Sequence, residues 1–273
     1  CFCDDCVARF SAEQGQSYTR KALVAAMNAD ADVRKAFVAF TKRNLAAFAG
    51  LLTEAIHEVS PESVLGYQYA QINGYDGDDR KYIFDAMHLP GKPPKSRPGG
   101  GVYTDHRPAE LIEKQFLVGY SNYRLPSYVT EIRPEVENTP DVPYGKTVYG
   151  TCLEAALYFA GGANCISFAT LMTEYESLYY HARFLEAFAQ ARPYWEKLAE
   201  ENENTRPAGV SPALPKEGYL RSSFGGGSLP WAEHTWKRAA LGGFYDGFPM
   251  CYDDNAPLLI LTAENVSGMT EKE

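Results

Sequence analysis

Between residues 63 and 200 four short apolar segments alternate with helical ones, and this alternation limits the possible folds more than any other feature of the chain. The first candidate strand runs from Ser63 to Ala70 and is bounded by turn signals at Gly74 and Asp76-Gly77. A short helical pattern spans Asp78 to Met87, and the proline and glycine cluster from Pro90 to Gly101 reads as loop. The second strand is expected at Gly100 to Asp105. Pro108 then suits the first turn of a helix reaching about Tyr123, with Leu111, Ile112, Phe116 and Tyr120 on one face. The third strand is expected at Tyr128 to Ile132, followed by a helix from about Lys146 to Ala160 that Gly161 and Gly162 end. The fourth, Asn164 to Phe168, precedes a long helix from about Tyr179 to Glu200. Upstream, Ser17 to Val59 carries two helices separated by a polar stretch, Asn28 to Asp32.

Strands that alternate with helices pair in parallel through right-handed crossovers, which predicts an α/β fold, either a barrel or a doubly wound sheet. Polar and aromatic residues recur where the strands end: Tyr67 and Tyr69, Tyr103 and Asp105, Glu131 and Arg133, and Thr170 to Glu176. This is the distribution expected of half a (β/α)8 TIM barrel, whose active site is built at the carboxyl ends of its strands. The polar stretch from Glu200 to Pro207 leads into a second α/β pattern, with a helix from about Trp231 to Leu241 and a strand from Ala256 to Thr262. The expected division is 1–203 for the partial barrel and 204–273 for the opening of the next domain, with both termini cut from a longer chain.

A formal charge of −9 argues against a protein that tracks a nucleic-acid backbone. No apolar run reaches the ~20 residues needed to span a bilayer, and no signal peptide is recognisable, so a soluble protein is expected. Nineteen tyrosines and three tryptophans fit stacking on neutral polar ligands such as sugars, and fit a tyrosine-rich core equally well. Cys152, Cys165 and Cys251 are isolated and not spaced as a disulfide framework, which favours a reducing, cytoplasmic setting.

The first six residues, Cys-Phe-Cys-Asp-Asp-Cys, place three thiols within one turn of chain. Cys1, Cys3 and Cys6 could close around one zinc ion with a fourth ligand from elsewhere. An N-terminal cysteine nucleophile and inert thiols are the alternatives. Glu131, between Val129 and Ile132, is a carboxylate in a segment expected to be buried on both faces. It either pairs with a cation such as Arg133 or serves as one of the two carboxylates of a glycoside hydrolase. Tyr69, Tyr103, Asp105, Arg133 and Glu174 are candidate substrate-binding residues. Glu135, Glu137, Glu174 and Glu176 read as loop carboxylates more suited to solvation than to catalysis, and His181 and His234 read as structural.

These segments resemble the family 42 β-galactosidases and their relatives with a β-galactosidase trimerisation-like domain. CFCDDCVARF is similar to the CxCxxC segment that supplies three ligands to a structural zinc, and YVTEIRP to the seventh barrel strand, which bears the nucleophile. YGTCLEAALYFAGGANCISF is similar to the next helix and the eighth strand. GGGSLPWAEHTWKRAALGGF and NAPLLILTAENVSGMTEKE resemble the start of the flavodoxin-like trimerisation domain. The resemblance implies a retaining glycosidase acting on a carbohydrate, with Glu131 as nucleophile. It also implies a homotrimeric parent, with the acid/base glutamate and the fourth cysteine ligand upstream of this chain and little hydrolysis by the present residues alone. A noncatalytic carbohydrate-binding or assembly protein on the same fold is the alternative.

Overall fold

The computed structural model describes residues 1–69, 80–138, 145–171, 176–203, 205–212, 217–220, 227–232, 236–253 and 255–261. Three helices open the chain: α1 (Asp4–Gln14), α2 (Arg20–Ala29) and α3 (Ala31–Val59). Asp4 and Asp5 lie in the first turn of α1, where negative charge opposes the helix dipole. Gly15, at φ 63°, ends α1 because the left-handed conformation costs glycine no Cβ clash. The side chains of Thr19 and Asp30 accept backbone N–H groups at the starts of α2 and α3. Their apolar faces meet in a core of Phe10, Leu23, Met27, Phe37 and Phe40, where Phe10 stands edge-on to both Phe37 and Phe40. Further along α3 an apolar stripe of Leu45, Phe48, Leu52 and Val59 remains exposed.

The alternating region follows: β1 (Gly66–Tyr69), α4 (Lys81–Met87), β2 (Lys95–Pro98), α5 (Pro108–Tyr123), β3 (Glu135–Glu137), α6 (Val148–Ala160), β4 (Ser167–Ala169) and α7 (Ala182–Glu203). A 3-10 turn over Leu178–His181 leads into α7. β1 pairs in parallel with β2, and β3 with β4. Parallel bridges from Ser96 to Ile132 and from Gly99 to Glu135 join β2 to β3, so the four strands are neighbours in chain order. Mixed α/β architecture with parallel pairing agrees with the sequence expectation.

The strand positions differ from it. β2 falls at Lys95–Pro98, inside the stretch expected to be loop, and residues 101–104 are irregular. Gly101, at φ 69°, breaks the extended backbone that a strand from Gly100 would need. Pairing along β3 begins at Ile132, and Glu135–Glu137 is the strand proper. Upstream of it the chain turns, with the Val129 N–H donating to the Pro126 carbonyl, which carries Val129 into the core beside Tyr69 and Phe84. Asn164 lies before β4 and uses its side chain on the neighbouring segment, accepting from the Ile132 N–H and donating to the Thr130 carbonyl.

Side-chain alternation gives the sheet two different faces. Tyr67, Tyr69, Val136 and Phe168 turn toward the helices, where Tyr67 and Tyr69 pack on Phe84, Val136 joins Ala155 and Tyr158, and Phe168 stacks on Phe188. The opposite parity is polar: Gln68, Lys95, Arg97, Glu135, Glu137 and Ser167.

After α7, β5 (Ser211–Pro212) and β6 (Leu259–Ile260) form a second small parallel pair, and α8 (Trp236–Tyr245) lies between them in sequence. This region shares cores with earlier helices. Tyr219 and Trp231 are buried among α1, α2 and α3, where the Trp231 indole donates to Asn28 at 3.1 Å. Leu241 and Tyr252 pack on Phe116 and Tyr120 of α5. No helix of the described residues is long and apolar enough to cross a membrane.

Candidate functional site

Two groups of charged side chains occupy opposite ends of the polar face. Glu131, just before Ile132, lies at the amino-terminal end, level with the start of β2. Its carboxylate is held by Lys95 Nζ at 2.5 Å and by Arg133, with Nε at 2.9 Å and a terminal nitrogen at 2.7 Å. Partial burial pushes its pKa up, but the two cations outweigh this and the carboxyl sits below its ordinary value. Glu131 is therefore an ionised member of a three-residue ion cluster, which is the pairing reading of this residue.

At the carboxyl end, Glu135 and Glu137 project from alternate positions of β3, about 6–7 Å apart along the strand. Glu135 is buried and accepts bonds from Gln68 Nε2, at 2.9 Å, and from Arg97. Glu137, the last residue of β3, is only partly buried, and its Oε2 accepts the Gly101 N–H at 3.0 Å. The Tyr103 phenol lies close enough to these carboxylates for their charge, Glu137's above all, to raise its pKa. Glu137 lies six positions after Glu131, roughly 20 Å of extended strand.

Beneath Glu137 sits a buried ionic knot. The Lys146 side chain is 0% exposed, and its ammonium donates to the Val102 carbonyl at 2.6 Å, to the Glu137 carbonyl at 2.9 Å and to the Glu154 carboxylate. Glu154, 1% exposed, also accepts from the Tyr158 hydroxyl at 2.6 Å. Burial lowers the Lys146 pKa and raises those of Glu154 and Tyr158. One ammonium thus ties the loop after β2 to the end of β3 and to α6.

The remaining sequence candidates are distributed unevenly. Tyr69 lies on the helix-facing side, buried, with its hydroxyl 3.0 Å from Ser96 Oγ, so it is a core residue away from the polar face. Asp105 reaches the start of α6, where its Oδ2 accepts both the Thr147 N–H and the Thr147 hydroxyl. Burial raises its pKa, but these bonds outweigh it and hold the carboxyl below the usual range. Arg133 belongs to the Glu131 cluster, and Glu174 and His234 lie outside the described residues. Among the described candidate substrate-binding residues, Tyr103 alone lies beside Glu137. The sequence reading places Glu135 and Glu137 among solvated loop carboxylates and gives Lys146 and Glu154 no site role. A Glu-Val-Glu triplet with a buried apolar centre is a half-polar strand, and that periodicity was the available signal.

The cysteine cluster lies apart from both ends, at the start of α1. The sulfurs of Cys1, Cys3 and Cys6 all fall within 4.8 Å of one another. Thiolates on one tetrahedral zinc, at about 2.3 Å from the metal, stand about 3.8 Å apart, so small side-chain rotations would bring these three to bonding geometry. Hydrogen bonds from the Cys6 backbone and thiol lower the Cys3 pKa, favouring the thiolate that metals bind. Three close cysteines that could hold a metal ion are thus present.

No family model, curated protein or solved structure matches the chain.

Proposed function

We propose that the parent protein is a retaining glycoside hydrolase of the β-galactosidase-like type, in which Glu137 rather than Glu131 is the nucleophile. The observation that carries this reading is the position of Glu137: a partly exposed carboxylate on the last residue of a parallel strand, anchored by one backbone N–H, with a phenol beside it. Barrel enzymes work at that end of their strands, whereas Glu131 lies at the other end and is occupied by two cations. On this reading β1 to β4 are strands five to eight of a (β/α)8 barrel. Their parallel order in sequence supports it, and the exposed stripe on α3 is the surface a preceding β/α unit would cover. The β5–β6 pair with α8 is the start of a flavodoxin-like domain over 204–273, and the parent is a cytoplasmic homotrimer.

In the reaction a Glu137 oxygen forms a bond to the anomeric carbon while the bond to the leaving oxygen breaks, and that oxygen takes its proton from an acid/base glutamate outside the present chain. Water, deprotonated by the same glutamate, then displaces Glu137. Arg97 and Gln68 hold Glu135 level with the neighbouring strands, beneath the sugar. Incubating the full gene product with an activated 2-fluoroglycoside and mapping the labelled peptide tests the assignment. Label is expected on Glu137, Glu137→Gln should abolish labelling, and Glu131→Gln should leave it intact. Label on Glu131 would reverse the assignment. A protein that binds sugar without being labelled would be the noncatalytic carbohydrate binder.

Zinc is proposed to bind through Cys1, Cys3 and Cys6, with a fourth ligand from outside this chain, as a support for α1 remote from the sugar. Titration of the full gene product with Co(II) should show thiolate charge-transfer absorption at one ion per chain. In Cys3→Ser that signal should weaken at least tenfold in affinity while Glu137 labelling persists.

A further inference from the structure

Most of the buried tyrosines, including Tyr69, Tyr120, Tyr158, Tyr219 and Tyr252, belong to cores. Of the exposed tyrosines among the described residues, Tyr149, Tyr179 and Tyr180 are the most open, at 76%, 82% and 74%. All three lie at the carboxyl end of the sheet. Tyr149 is in the first turn of α6, which is bound to the end of β3 through Thr151 and Asn138. Tyr179 and Tyr180 occupy the 3-10 turn between β4 and α7.

This turn is a supported element. The Ser177 hydroxyl accepts the Tyr179 N–H, and the Ser177 carbonyl accepts the Tyr180 N–H at 3.0 Å. His181, which follows, is buried, with Nε2 3.2 Å from the Glu176 carboxylate but without hydrogen-bond geometry. The anchored ends leave the two rings projecting together, edge to face with centroids 5.9 Å apart. Two phenol rings held side by side in water offer a flat apolar surface with a hydrated rim, the kind of surface on which a neutral polar ring stacks. The opposite end of the polar face carries the Lys95–Glu131–Arg133 ions.

We propose that Tyr179 and Tyr180, with Tyr149 as an outlying member, form a stacking platform for sugar units beyond the one that Glu137 engages, so that the substrate is an oligosaccharide rather than a simple disaccharide. A phenol ring suits the C–H face of a pyranose while its hydroxyl stays hydrated, and the chain's net charge of −9 disfavours a polyanionic occupant. The proposal rests on the glycosidase reading for the position of the first sugar.

The test is calorimetric binding of β-1,4-galacto-oligosaccharides of two to six units to the full gene product carrying Glu137→Gln, which blocks turnover. Affinity should rise with length up to about four units. Adding Tyr179→Ala and Tyr180→Ala should cost about tenfold for the tetrasaccharide and less than twofold for the disaccharide. Equal affinity at every length, no binding at any length, or the same loss for the disaccharide would overturn the platform. Melting temperatures equal to those of the unsubstituted protein show that the tyrosine variants fold. The outcomes separate the two readings: a labelled Glu137 with a flat length series removes the platform alone, whereas an intact length series with no label on Glu137 removes the reaction and keeps the platform.

Discussion

Changing Lys146 to methionine or Glu154 to leucine, one at a time, is expected to lower unfolding free energy by about 3–5 kcal/mol, because each change leaves the other charge buried without its partner. The double substitution should recover much of that loss, since two apolar side chains of similar length satisfy the same space without desolvating any ion. Recovery will be incomplete for a specific reason. The Lys146 ammonium also serves the carbonyls of Val102 and Glu137, and methionine offers those carbonyls no donor. Tyr158→Phe removes only the bond to Glu154, so about 1–2 kcal/mol is expected there. Urea denaturation of the four variants checks the pattern. Additive single losses in the double variant would mean that Lys146 and Glu154 do not act as a pair.

The parts of the fold legible in the sequence were those whose local signals and tertiary roles coincide. Helix α5 spans Pro108–Tyr123 as expected, because proline at its first turn and an apolar face ending in Phe116 and Tyr120 specify both its start and the side it buries. β1 and the end of α6 at Gly161 were readable for the same reason. β2 was not. A buried parallel strand is expected to be apolar throughout, but this sheet has one polar face, so Lys-Ser-Arg-Pro between prolines passed for loop. The same assumption moved the third strand upstream to Tyr128–Ile132. That made Glu131 the carboxylate in question and consigned Glu135 and Glu137 to loop. The Lys146–Glu154 knot joins the end of a loop to the second turn of a helix, and no periodicity marks such a pairing. The site proposed at Glu137 is therefore the same kind of residue as the sequence candidate Glu131, on the same stretch of chain and six positions further along.

The packing that positions Glu137 also depends on a backbone approach only glycine permits. A Cβ added at Gly100 would overlap the Glu135 carbonyl and the Tyr158 hydroxyl and would crowd Glu154 Oε1 at 2.9 Å. The carbonyl cannot yield without shifting β3, and the hydroxyl cannot yield without releasing Glu154. Gly100→Ala is accordingly expected to destabilise by about 1–3 kcal/mol, the range for overpacking a rigid site. Gly66→Ala is the matched control. Its added Cβ would meet Lys95 at 3.7–3.8 Å, an ordinary contact, so a change within about 0.5 kcal/mol is expected. Because Gly101 donates to Glu137 and follows Gly100 directly, the strain at Gly100 reaches the carboxylate through one peptide unit. Labelling of Glu137 should slow in Gly100→Ala even at temperatures where the variant is fully folded, and should keep its normal rate in Gly66→Ala. Equal labelling rates in the two variants would show that the close approach at Gly100 stabilises the fold without holding Glu137 in place.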